Sequence, residues 1–100
     1  MFWIKEGAVF MEKKTILMID DVKLNLATAR DVLQQDYILC EASSAMEGFE
    51  ILDKVIPDLI LLDINIPYMN GEILLKNLRE SSNIPVIMVT SRNSDIDEAL

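Results

Sequence analysis

The sequence predicts an α/β domain: a doubly wound parallel sheet with helices on both faces. Three observations predict it. Short apolar runs alternate with stretches of helical periodicity, in the order β-α-β-α-β-α-β-α. Leu59 to Leu62 is continuously apolar and bounded by Asp58 and Asp63, as expected of a strand buried on both faces. Side chains with chemical use gather where the strands end, the edge at which open α/β sheets bind their ligands.

The elements follow in chain order. Residues 1–12 are read as an N-terminal extension, with Met11 a second plausible start and the terminus untethered. Because Phe2, Trp3, Ile4, Val9 and Phe10 are apolar, an extra strand or interface segment is the alternative for this stretch. The domain proper is expected over 13–100. Thr15 to Ile19 forms the first buried strand and runs straight into Asp20-Asp21. A helix over about Val22 to Gln35 follows, since Val22, Leu26, Ala29 and Leu33 recur on one helical face. Tyr37 to Ala42 is the second strand, and Cys40 within it is small apolar filler.

Ser43 or Ser44 caps a second helix, about Ala45 to Val55, in which Gly48 allows close packing at a cost of about 1 kcal/mol against Ala. Pro57 ends that region before the central strand. Pro67, Asn70 and Gly71 break the chain after Asp63, and a third helix runs from Asn70 or Gly71 to about Arg79 with Leu74, Leu75 and Leu78 toward the sheet. Ser81 to Asn83 turns the chain. Pro85 precedes a fourth strand, Val86 to Val89, which ends at Thr90-Ser91. Ser94 with Asp97 marks the start of a fourth helix. Strands alternating with helices imply right-handed crossovers and a parallel sheet, in which the carboxyl ends of the strands all lie on one edge.

Composition narrows the function. One hundred residues make one domain, and 51% apolar residues suffice for a core. A net charge of −8 disfavours direct nucleic-acid binding, which needs clustered Lys and Arg. No apolar run approaches the roughly 18 residues of a membrane span, and Met1 to Phe10 has neither the long apolar core nor the small-residue cleavage pattern expected of a signal peptide. A single cysteine rules out an internal disulfide and fits a cytoplasmic location. With no histidine, His-based metal sites and His general bases are excluded.

The first strand ends in Asp20 and Asp21, the third in Asp63, the fourth in Thr90 and Ser91. The acids are expected at strand ends, with none inside the strands. Each has a plainer reading. Asp20 and Asp21 can be an N-cap pair for the first helix, Asp63 can cap the following turn, and Thr90 is an ordinary strand residue. Together they make a cation site: clustered carboxylates repel unless a cation intervenes, and hard oxygen ligands suit Mg2+, Mn2+ or Ca2+. Asp63 can then be the nucleophile of an aspartyl phosphate, with the Thr90 hydroxyl donating to a phosphoryl oxygen.

This constellation resembles the receiver domain of two-component response regulators. The resemblance rests on Asp20-Asp21, Asp63, Pro67, Gly71 and Thr90, with Asn25, Ala45, Gly48 and Pro85 also fitting, and it covers residues 13 to 100. It implies the flavodoxin-like receiver topology. It also implies that Asp63 is the phosphoacceptor, taking its phosphoryl group from a sensor histidine kinase or a phosphotransfer protein. Asp21 would bind Mg2+ directly, Asp20 mostly through water, and Asn65 through its backbone carbonyl; Thr90 would be the switch hydroxyl. The domain would be a phosphorelay signalling module and not an enzyme beyond its own phosphotransfer. In the family a Lys followed by Pro stands after a fifth strand, which itself carries an aromatic switch residue. The sequence to Leu100 holds neither, and Lys54 and Lys76 fall within predicted helices. The expectation is a domain lacking its last βα unit, C-terminally incomplete, with the 86–89 strand as an exposed edge open to homo-oligomer pairing.

Other functions stay open on the residues alone. A receiver-like interaction module that is never phosphorylated would keep the fold without the chemistry. A phosphohydrolase of the haloacid dehalogenase type also uses a strand-end Asp, but wants a second Asp two residues on, where this chain has Asn65. Flavin binding is weaker for want of a phosphate loop after the first strand, and no nucleotide-binding G-x-x-x-x-G-K-[ST] is present.

Overall fold

A computed structural model describes residues 2–5, 8–66 and 71–89, with side chains from residue 12 onward. Its elements are β1 (Phe2–Lys5), β2 (Ala8–Met11), β3 (Lys14–Ile19), α1 (Lys23–Leu33), β4 (Tyr37–Ala42), α2 (Ala45–Leu52), β5 (Leu59–Asp63), α3 (Gly71–Ser81) and β6 (Val86–Val89).

Four strands form one sheet in the order β4-β3-β5-β6, and every neighbouring pair is parallel. The register sets Leu17 opposite Cys40 on one side and Ile60 on the other, and Asp63 opposite Val89. Side chains alternate across the sheet. Leu17, Ile19, Ile60 and Leu62 therefore share a face, where they form one core with Ala45 of α2 and with Leu74 and Leu78 of α3. On the opposite face Ile16 and Met18 are buried, and Leu26 is the buried residue of α1. The cover on that face is uneven: Ile87 of β6 is 51% exposed. β4 and β6 are the outer strands among the described residues.

Several expectations need correction. Strands Phe2–Lys5 and Ala8–Met11 pair antiparallel, with Phe2 opposite Met11 and Lys5 opposite Ala8. These strands make a sheet of their own and do not extend the parallel one. The first helix starts at Lys23 and ends at Leu33, one residue inside its expected start and two inside its expected end. Val22 is 41% exposed, so the expected apolar face narrows to Leu26 with half-buried Ala29 and Leu33. The second helix stops at Leu52 and not at Val55, because the chain leaves it through a turn in which Lys54 and Val55 both donate to the Ile51 carbonyl. The third helix runs two residues longer, to Ser81. Pro67, Asn70, Thr90, Ser91, Ser94 and Asp97 lie outside the described residues.

One acid does stand inside a strand. Glu41 lies within β4 and is held by Arg30 of α1 through two bonds, Nε to Oε2 at 2.6 Å and Nη2 to Oε1 at 2.5 Å. The guanidinium keeps the Glu41 carboxyl below its ordinary value, and Glu41 in turn raises Arg30.

Gly48 works as the packing argument requires. A Cβ there would stand 2.7 Å from Cδ1 of Ile19, so its absence lets α2 settle onto β3.

Candidate functional site

The carboxyl ends of β3 and β5 are neighbours in the sheet, and each ends on acid. Asp20 follows Ile19 at the end of β3, and its N–H donates to the Ala42 carbonyl at 3.0 Å, which continues the β3–β4 ladder by one step. Asp63 is the last residue of β5, and the next N–H, of Ile64, donates to the Val89 carbonyl at 3.1 Å. Both carboxylates are thus fixed by strand backbone, and both are only 2% exposed. Asp21 stands nearer solvent.

One carboxylate oxygen from each of Asp20, Asp21 and Asp63 lies within 4.8 Å of the others. The structure therefore brings the three predicted acids into one cluster. No buried side-chain nitrogen or oxygen among the described residues lacks a hydrogen-bond partner. The donors that reach Asp20 are local. Val22 N–H donates to Oδ1 at 2.8 Å, and Asn25 Nδ2 donates to Oδ2 at 3.1 Å. Asp63 Oδ1 accepts from Asn65 N–H at 3.1 Å.

These contacts decide between readings left open above. Asp20 and Asp21 do not cap α1: its N-cap is Val22, without a side-chain cap bond. The Asp20 carboxylate instead accepts from the Val22 N–H and from the Asn25 side chain. The Asn65 N–H lies two residues after Asp63, so this bond closes a local turn. Thr90 and Pro67 carry no structural description.

Gly71 has a demanding position. Its N–H donates to the Ile64 carbonyl at 2.8 Å. An added Cβ would meet Ile64 Cα at 2.7 Å and Asp63 O at 3.0 Å, both backbone atoms that cannot swing aside. α3 therefore begins pressed against the chain just after the acid of β5.

The donor set suits a hard divalent cation. It is all oxygen, with no His or Cys, and three carboxylates this close repel one another when no cation lies between them. By contrast, a groove lined by Phe49, Leu52, Ile56 and Ile84, with Asp53 and Asp58 also on its wall, opens at the opposite end of the strands. It has no acid cluster. Sequence reasoning named Asn25 only as part of a pattern and did not foresee its bond to Asp20, because spacing along the chain does not show which way a helix-start side chain points.

The comparisons with known proteins agree with this geometry. The family model for the response regulator receiver domain matches residues 16–100. The chain is 34% identical over 85 residues to the uncharacterized transcriptional regulatory protein YcbL of Bacillus subtilis, covering 85% of this chain and 38% of that protein. It is 39% identical over 99 residues to the nitrate/nitrite response regulator protein NarL of Escherichia coli, covering 89% of this chain and 44% of the relative. The chain thus spans less than half the length of these curated relatives.

Among solved structures, the Francisella response regulator 1452 receiver domain superposes with a TM-score of 0.73 at 25% identity, covering 87% of this chain and 76% of that one. A CheY-like receiver domain protein from Methanospirillum hungatei gives 0.72 at 30% identity, covering 88% and 75%. Receiver domains are signalling domains, not conventional enzymes, and bind Mg2+ at an acidic pocket. No helix among the described residues is long and apolar enough to cross a membrane. On its acid cluster, its parallel sheet and these matches, the chain belongs to the response regulator receiver domain family.

Proposed function

We propose that this chain is a phosphoacceptor switch that receives a phosphoryl group on Asp63 from a phosphohistidine of a sensor kinase or phosphotransfer protein. The observation that carries the reading is the convergence of Asp20, Asp21 and Asp63 within 4.8 Å at the carboxyl edge of the sheet. A carboxylate oxygen of Asp63 attacks phosphorus as the P–N bond of the donor breaks. The electron pair returns to the imidazole nitrogen, and an acyl phosphate forms.

Asp20, Asp21, Asp63 and the Asn65 carbonyl would hold Mg2+, which supplies charge neutralisation on the transferring group. Asp63 is positioned by the β5 backbone and by the Asn65 N–H on Oδ1. Asp63 is only 2% exposed, so its carboxylate is held in place by the chain around it. The Thr90 hydroxyl is assigned to the phosphoryl oxygens as the switch group. The reading includes a cytoplasmic location, no direct contact with nucleic acid or membrane, and pairing of copies through the β6 edge. A strictly monomeric mass in solution would remove that last element.

The test is intact mass after incubation with acetyl phosphate and Mg2+. A gain of one phosphoryl group that disappears in Asp63→Asn supports the reading. No gain in the unaltered chain favours an interaction module that is never phosphorylated. Turnover of a phosphate ester would instead point to a hydrolase.

A further inference from the structure

Asp20 and Asp21 are adjacent in sequence but differently held. Asp20 is buried, and each of its oxygens accepts a hydrogen bond from the chain just ahead: Oδ1 from Val22 N–H at 2.8 Å, Oδ2 from Asn25 Nδ2 at 3.1 Å. Asp21 is nearer solvent and accepts no hydrogen bond among the described residues. The Val22 bond is backbone and would form with any residue there but proline. The Asn25 bond needs a side-chain amide of this length, at the third residue of α1.

We infer that Asn25 is a positioning residue for the cation site, acting through Asp20. The inference rests on the phosphoacceptor reading above. A carboxylate anchored through one oxygen can still rotate about its side-chain bonds. A second anchor on the other oxygen fixes the plane of the group, and therefore the direction of the lone pairs that remain. Asn25 also donates without adding charge. A Lys or Arg in its place would neutralise Asp20 and compete with the cation, whereas an amide orients the carboxylate and leaves its full negative charge for the metal. Neighbours that orient metal ligands in this way typically change affinity by about 10- to 100-fold when removed. Asn25 is half-buried and its contact is 3.1 Å, so the lower end is expected.

The experiment measures the dissociation constant for Mn2+, a probe for the oxygen site, from the paramagnetic resonance signal of the free ion. It compares the unaltered chain, Asn25→Leu, Asp20→Asn and the double variant. Asn25→Leu keeps the shape and removes the donor; it should weaken binding by about tenfold. In the Asp20→Asn background the same change should add nothing, because Asn25 acts through the group already altered. The concentration of Mg2+ giving half-maximal phosphorylation by acetyl phosphate should rise in Asn25→Leu with the plateau retained.

Equal weakening in both backgrounds would mean that Asn25 acts on the fold at large, and overturns the inference. So does an unchanged dissociation constant in Asn25→Leu. If Asn25→Leu does not fold, as judged by circular dichroism, Asn25→Ala carries the same cycle. An unaltered chain that binds no Mn2+ would defeat the phosphoacceptor reading and the inference with it. Binding that is indifferent to Asn25 defeats the inference alone.

Discussion

The starts of α1 and α2 lie at the same edge of the sheet, one after β3 and the other after β4, and they use their polar groups in opposite ways. At α2 the polar groups serve the helix. Ser44 is the N-cap and its Oγ accepts from Glu47 N–H at 3.1 Å. Glu47 reaches back, and its Oε1 accepts from both the N–H and the hydroxyl of Ser43 at 2.6 Å. This is a capping box displaced by one residue toward the N-terminus. The Ser43 hydroxyl and N–H hold the Glu47 carboxyl below its ordinary value. At α1 the N-cap is Val22, with no side-chain cap bond and no acidic residue in the first turn. Its amide N–H and the Asn25 side chain are both directed at Asp20. One helix start caps itself with side chains, and its neighbour goes without that capping and holds the Asp20 carboxylate instead.

The largest effect that would break this comparison is at Asp63. Asp63→Asn should abolish phosphoryl gain entirely, read as the loss of the added mass, while the circular dichroism spectrum stays native. Should phosphate still add to the variant, the site assignment is wrong.

The next effect is steric. Gly71→Ala should lower stability by about 1–3 kcal/mol, since its Cβ meets backbone beside Asp63. Gly48→Ala should cost clearly less, because its Cβ meets the end of the Ile19 side chain and the helix gains about 1 kcal/mol of propensity. Urea denaturation of both variants checks the order. A Gly48 variant weaker than the Gly71 variant would reverse the argument.

A moderate effect separates the two helix starts directly. Ser44→Ala should cost about 1 kcal/mol whether or not Mg2+ is present. Asp21→Asn should leave metal-free stability equal or higher, because it relieves repulsion within the cluster, and should remove the rise in melting temperature on adding Mg2+. A fall in metal-free stability in Asp21→Asn would show that this acid serves the fold.

The smallest effect is with pH. Glu41 and Glu47 have folded-state values below the ordinary carboxylate value, Glu41 through its bond from Arg30 and Glu47 through its bonds from Ser43. A depressed carboxyl contributes stability that is present above its unfolded value and is lost as pH falls through the folded one. Stability should therefore decline below about pH 4.5, the ordinary value, and Glu47→Gln should flatten that part of the curve. An identical acid limb in the variant would count against the assignment.

Much of the fold was legible because its signals are local. The runs 37–42 and 86–89 are strands over the expected residues, since short, mostly apolar runs beside turn residues have few other uses. Ser44 was one of two candidate caps, and only the direction of each hydroxyl separates it from Ser43. Helix ends were less legible: α2 stops at Leu52 although Val55 continues its apolar face, because a turn at Ile51 takes the last carbonyl. Glu41 was misjudged because a charge in a strand is tolerated when a neighbouring helix brings a guanidinium to it. That pairing joins residues of different elements, and periodicity within one element does not reveal it.

The sequence by itself determined the α/β class and the strand-end placement of Asp20, Asp21 and Asp63. Alternation of apolar runs with helical faces, and the expense of burying a carboxylate inside a strand, are properties of the chain alone. Only the tertiary structure decided that β3 and β5 are adjacent, that three carboxylates fall within 4.8 Å, that Gly71 abuts the backbone of Asp63 and Ile64, and that Asn25 turns toward Asp20. These are distances between groups far apart along the chain or on different elements. They are set by which strands pair and how each helix rotates onto the sheet, and no local preference of a residue encodes them.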